Sequence, residues 1–86
     1  MYGERHNLIH EFPEFRSTIQ HLKVHDRDFS RLLAEYDVTD KRIYGIEQQM
    51  QPVADTYLEE LKKRRVKLKD RLYTILRHHN SIEVNV

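Results

Sequence analysis

Residues 15–50 read FRSTIQHLKVHDRDFSRLLAEYDVTDKRIYGIEQQM, and in them Phe15, Leu22, Phe29, Tyr36, Ile43 and Met50 recur at every seventh position without a slip. A strict seven-residue apolar repeat is the pattern of a helix that buries one narrow seam against another helix. The fold class therefore reads as all-α and coiled-coil-like. The companion positions are mixed: Ile19, Leu32 or Leu33, and Ile46 are apolar, whereas His25, Asp26, Thr39 and Asp40 interrupt them. Asp26 could cap a new helix after a break near Val24-His25. The unbroken spacing from Leu22 to Phe29 argues for continuity, so the expectation is one long helix over about residues 13–50, kinked at most near residue 25.

Working outward, Phe12-Pro13-Glu14 reads as a helix entrance, because proline is tolerated in a first turn and an acidic residue suits the positive end of the helix dipole. The first eleven residues are polar and aperiodic and read as a flexible leader. On the other side, Gln51-Pro52 ends the long helix. A short loop runs to about Asp55, and Thr56 to Glu59 reads as a capping box, with Asp55 as the rival cap. A second helix over about residues 56–79 follows, with a seam of Leu58, Leu61, Leu68, Leu72, Ile75 and Leu76, and Asn80 can end it. Arg65 sits in the seam, where its aliphatic stem can cover apolar surface while its head reaches water. The division is then a leader (1–11), an antiparallel helical hairpin domain (12–79) and a short tail (80–86).

Length sets what this hairpin can bury. At 86 residues the chain is near the lower limit for a self-sufficient core. The second helix is shorter than the first and reaches back only to about Asp26–Phe29, leaving Phe12, Phe15, Ile19 and Leu22 uncovered. Either the N-terminal segment folds back or a second chain covers this strip, and the second chain is the expectation. Assembly into a dimer or larger helical bundle follows, with Phe12, Phe15, Ile19, Leu22, Phe29, Leu61, Leu68 and Leu72 as the interface.

Composition narrows the function classes. The net charge is +1, but residues 1–50 carry seven Lys/Arg against nine Asp/Glu, and residues 51–86 carry eight against five. Oppositely charged halves suit a hairpin. The chain has no cysteine, which removes disulfides, thiolate metal sites and thiol nucleophiles. Neither a signal peptide nor a membrane span is legible, so a soluble cytoplasmic protein is expected.

Three chemical readings can be weighed. The basic run from Lys62 to Lys69 could contact nucleic acid through Lys63, Arg64, Lys67 and Arg71. Its charges read as spread around the helix, however, and no aromatic residues interleave for base stacking. Six histidines include the i,i+4 pairs His6/His10 and His21/His25, but a zinc site wants three or four convergent ligands. Catalysis has no foothold: the serines lack a base at motif spacing, and two glycines cannot build a phosphate loop. The expectation is a non-enzymatic oligomerisation or protein-interaction module without a cofactor. Its partners would be copies of itself and another protein, with nucleic acid as the alternative and neither a membrane nor a small-molecule substrate. Gly45 is anomalous in a helix interior, and close approach of a neighbouring helix is one reason for it.

Taken together, Phe12-Pro13-Glu14-Phe15, Ile19, Leu22-Lys23, Asp26, Phe29, Leu32, Tyr36, Asp40, Ile43 and Ile46-Glu47 resemble the YdcH-like family of small bacterial proteins. Leu58, Leu61-Lys62-Lys63, Arg65, Leu68-Lys69-Asp70, Leu72 and Leu76 are similar to that family's second signature. The resemblance spans about residues 12–77. It implies a small, coiled-coil-prone helical domain of uncharacterised role and supplies no active site. Lys69 and Asp70, beside Leu68, are expected to form ion pairs between helices or subunits.

Overall fold

A computed structural model describes the backbone of residues 7–49 and 52–84, and side chains as far as His79. The elements are a helical turn α1 (Leu8–Glu11), a 3-10 turn (Pro13–Phe15), α2 (Arg16–His25), α3 (Arg27–Gln49) and α4 (Asp55–Val84). Helices α3 and α4 form the antiparallel hairpin. Its register is fixed by Asp40 against Arg65 and Glu47 against Lys62.

The long first helix is in fact two. The Asp26 N–H donates to the Leu22 carbonyl and closes α2, while Asp26 itself turns out of helical space at φ −121° and ψ 112°. Its carboxylate then accepts the Phe29 N–H at 3.0 Å, and its carbonyl accepts the Ser30 N–H at 2.9 Å, which starts α3. The break at Asp26 corrects the expectation of continuity. The N-cap that the sequence offered is used, and it lets α2 reverse direction along the hairpin.

That reversal also covers, within the one chain, the strip expected to be left bare. Phe15, Ile19 and Leu22 are buried within one molecule, in a cluster with Phe29, Leu32, Leu33, Tyr36, Leu68, Leu72 and Leu76. Phe12 packs partly buried against this cluster. Its ring lies 4.9 Å from that of Tyr73, and Phe15 meets the same ring edge-on at 6.0 Å. Edge-on pairs add to the area term, and each fully covered apolar side chain here contributes about 1.5–3 kcal/mol. The seven-residue seam survives the break because Phe15, Leu22, Phe29, Tyr36 and Ile43 are all buried. Met50 lies outside the described residues.

The ends differ from expectation in opposite ways. Part of the leader is ordered: the Asn7 Oδ1 accepts the Ile9 N–H at 2.9 Å, and Leu8 joins the core. No periodicity surrounds Leu8, so nothing local marks it as a core residue. Residues 1–6 are outside the described part. Helix α4 begins at Asp55, with the Ala54 carbonyl accepting from Tyr57 and Leu58. The Thr56 capping box is therefore not used. At the other end α4 runs past Asn80 to Val84, since neither Gly nor Pro stands there to stop it.

Candidate interaction surface

With the seam consumed inside one chain, the surface left for function lies mainly on the outer face of α3 and the lower half of α4. Val38 is 69% exposed and Tyr57 41%. Together with Ala34 and Leu61 they floor an open groove of about 400 Å³ whose rim carries Arg31, Arg42 and Arg64, with Glu35 as the acid among them. The Arg42 Nε–H donates to the Tyr57 hydroxyl at 3.3 Å, which ties the α3 rim to the start of α4. Thr39, at the same groove, is held by donating its hydroxyl to the Glu35 carbonyl at 2.8 Å. A neighbouring depression of about 350 Å³ shares Val38 and Arg42 and continues over Gly45. A Cβ built at Gly45 would meet nothing within 4 Å, so close approach of another helix of the same chain is not the reason for this glycine.

Two of the interruptions in the seams, Asp40 and Arg65, satisfy each other. Asp40, buried at 1% side-chain exposure, accepts from the Arg65 guanidinium at 2.9 Å, and Arg65 retains 19%. The Arg65 head is thus held by a buried carboxylate across the hairpin, while part of its side chain stays exposed. Tyr36, also in the core, has its phenol pushed far above the usual tyrosine range near 10, first by burial and then by the nearby Asp40 charge.

The basic run divides into two sets. Lys62, Arg65 and Lys69 turn inward to Glu47, Asp40 and Glu11. Lys63, Arg64, Lys67 and Arg71 are exposed and fall within one sector of about 100° at 3.6 residues per turn. The charges of the run do face both sides of the helix, and the outward set alone shares a sector. Glu59, Glu60 and Asp70 are exposed on the same side of the helix and dilute it. Lys69 forms the expected ion pair, with Glu11 of the folded-back arm at 3.5 Å, and also lies 5.8 Å from the Phe12 ring centroid. Its neighbour Asp70 faces solvent.

Of the side chains expected to meet a second chain, Phe15, Ile19, Leu22, Phe29, Leu68 and Leu72 are buried, while Phe12 and Leu61 are partly covered. In this conformation they are core, not interface. The His21 ring lies 4.4 Å from His25 and 5.9 Å from His79, so the histidines of α2 pack at its end against α4. Among the described residues no group of three or more His, Asp or Glu could hold a metal ion, and His6 lies outside them. No described helix is long and apolar enough to cross a membrane.

Residues 29–76, most of the hairpin and more than half of the chain, match the family described as "Protein of unknown function (DUF465)", the YdcH-like small bacterial proteins. The chain belongs to that family. The matched stretch starts at Phe29, so the folded-back arm with Phe12 to Asp26 lies outside it, and the resemblance read from those residues does not extend the match. No curated protein and no solved structure matches the chain.

Proposed function

We propose that this member of the DUF465 family is a non-enzymatic protein-interaction module, and that its groove between α3 and α4 takes an acidic amphipathic helix of a partner protein. The observation that carries this reading is the apolar floor of Ala34, Val38, Tyr57 and Leu61 set among Arg31, Arg42 and Arg64. An amphipathic helix laid in a groove supplies apolar anchors at i, i+3 or i+4 and i+7. Three guanidinium groups on the rim select acidic flanks and reject basic ones. The groove is shallow, and Thr39 has its hydroxyl engaged with the Glu35 carbonyl, which favours binding over chemistry.

The test uses two labelled synthetic helices that share a leucine face, one flanked by glutamate and the other by lysine. Anisotropy should rise with the acidic helix only, and Arg42→Glu with Arg64→Glu should abolish the rise while the circular dichroism stays helical. Equal binding of both peptides, or unchanged binding by the double variant, rejects the groove.

A second reading rests on the sector of Lys63, Arg64, Lys67 and Arg71, which is suited to phosphate contacts. A mobility shift with duplex DNA or RNA that weakens with salt supports it, and no shift at low salt removes it.

A further inference from the structure

The arm that closes the core is joined to the hairpin by a single non-helical residue. Asp26 alone leaves helical space between α2 and α3, while the apolar repeat runs through it from Leu22 to Phe29 in register. The same sequence is therefore written for two geometries. With ψ of Asp26 extended, α2 folds back. With ψ helical, residues 16–49 form one rod of about 50 Å, and the seam remains on one face.

The path of the arm makes the second geometry usable. Glu11 meets Lys69, Phe15 meets Tyr73 and His21 meets His79, so α2 runs parallel to α4 with a constant offset. The same offset brings Asp26 level with Val84, the last residue of α4. An arm that continued straight on from α3 would clear the end of its own hairpin. It would then enter the vacated groove of a second hairpin placed end to end with the first, in the direction that groove already accepts.

We propose that the chain forms a domain-swapped dimer in which α1 and α2 of each copy fill the groove of the other, with Asp26 as the hinge. The partner is a second copy, because the arm is the one segment whose fit to this groove the structure demonstrates. All arm contacts are common to both forms, which differ only at the hinge and in the junction between the two hairpins. The Asp26 carboxylate on the Phe29 N–H holds the hinge bent. Its removal releases two hinges per dimer. The surface used is separate from the groove lined by Val38 and Tyr57, so this inference stands or falls independently of the function proposed above.

Two substitutions push the hinge in opposite directions. Asp26→Ala removes the cap and suits a continuous helix, and it should tighten dimerisation by roughly 30-fold, taking a typical cap loss at each of two hinges. Arg27→Pro suits the bent form: proline is favoured at the first position of α3, and Asp26 already has the backbone that precedes a proline. Inside a continuous helix that proline would clash and lose a hydrogen bond, so this variant should stay monomeric.

Oligomeric state is read by sedimentation equilibrium, and arm exchange by cross-linking Glu11→Cys with Lys69→Cys through a short bismaleimide. The chain has no other cysteine, so the product reports this contact alone. The expected result is cross-links between chains in the Asp26→Ala dimer and within one chain in Arg27→Pro. Refolding the otherwise native Glu11→Cys, Lys69→Cys chain at high concentration supplies the same readout if Asp26→Ala folds poorly. A folded Asp26→Ala chain that stays monomeric at millimolar concentration overturns the proposal. So does a dimer whose cross-links stay within each chain, or an Arg27→Pro chain that dimerises as well as wild type.

Discussion

Removing the Asp40 carboxylate is the most informative single change in the hairpin. Asp40 is nearly inaccessible, and its Oδ1 receives the Arg65 guanidinium at 2.9 Å, with Arg65 still 19% exposed. Deleting one partner of a buried pair costs about 3–5 kcal/mol, because the other charge is left without compensation. Arg65 keeps a path toward water, which places Asp40→Ala at the lower end, about 3 kcal/mol. For a domain of this size each kcal/mol moves the midpoint by about 4–8 °C, so Tm should fall by about 12–24 °C. Arg65→Ala breaks the same contact from the other side and should lower the midpoint in the same direction.

The reciprocal experiment separates the pair from its surroundings. Asp40→Leu with Arg65→Leu restores two apolar seam positions across the hairpin, and such replacements are commonly neutral or stabilising by about 1–4 kcal/mol. Urea unfolding of wild type, Asp40→Leu, Arg65→Leu and the double variant, followed by circular dichroism at 222 nm, gives all four corners of the double-mutant cycle, provided m is constant and the midpoint does not depend on concentration. An Asp40→Ala loss below about 1 kcal/mol refutes the assignment of the pair as a buried lock. A Leu/Leu variant as unstable as the sum of its single changes refutes it equally, because packing and not charge would then limit the site.

Other changes test separate features. Gly45→Ala should stabilise the chain by about 0.5–1 kcal/mol, read as a raised urea midpoint, because the site is helical and a Cβ meets open space. A loss there would mean that the backbone at Gly45 is contacted from outside the molecule. Leu72→Ala, in the centre of the core, should cost about 2–5 kcal/mol in the same assay. Alkaline titration should unfold the protein: the raised phenol of Tyr36 stabilises the fold fully below the unfolded value near 10, and that stability is lost as pH rises beyond it toward the folded value. Tyr36→Phe should flatten stability against pH above about 10, and an unchanged alkaline slope would assign the titration elsewhere.

The hairpin was legible in the sequence because its information is periodic. Five of the six seventh-position residues can be checked, and all five are buried; Pro52 falls in the turn between the helices. The sequence was less explicit where a single side chain decides between two backbone paths. Asp26 offers a cap to a broken helix, yet it also fits a continuous one in register, and periodicity cannot tell these apart because both keep Leu22 and Phe29 on the same seven-residue seam. What decides is tertiary: a bent hinge lets Phe15, Ile19 and Leu22 find cover in their own chain, and the hairpin is long enough at that end to provide it. Local pattern is also silent about Leu8, which joins the core from an aperiodic segment.

The polar residues of the seam were hardest to interpret singly and become simple as pairs. Asp40 and Arg65 each look like a defect in a separate apolar repeat, twenty-five positions apart in the chain. A hairpin register that places them opposite converts two penalties into one contact that slides of the helices would break. A one-turn slip would bury Asp40 against apolar neighbours and strand Arg65, so the pair disfavours every register but one, whereas leucines alone would tolerate several. Fixing that register is what brings Ala34 and Val38 of α3 level with Tyr57 and Leu61 of α4, and hence what assembles the groove at all. The Leu/Leu variant should therefore keep its helices and its stability while losing discrimination between acidic and basic peptides. A Leu/Leu chain that binds as selectively as wild type would show that the apolar seam sets the register unaided.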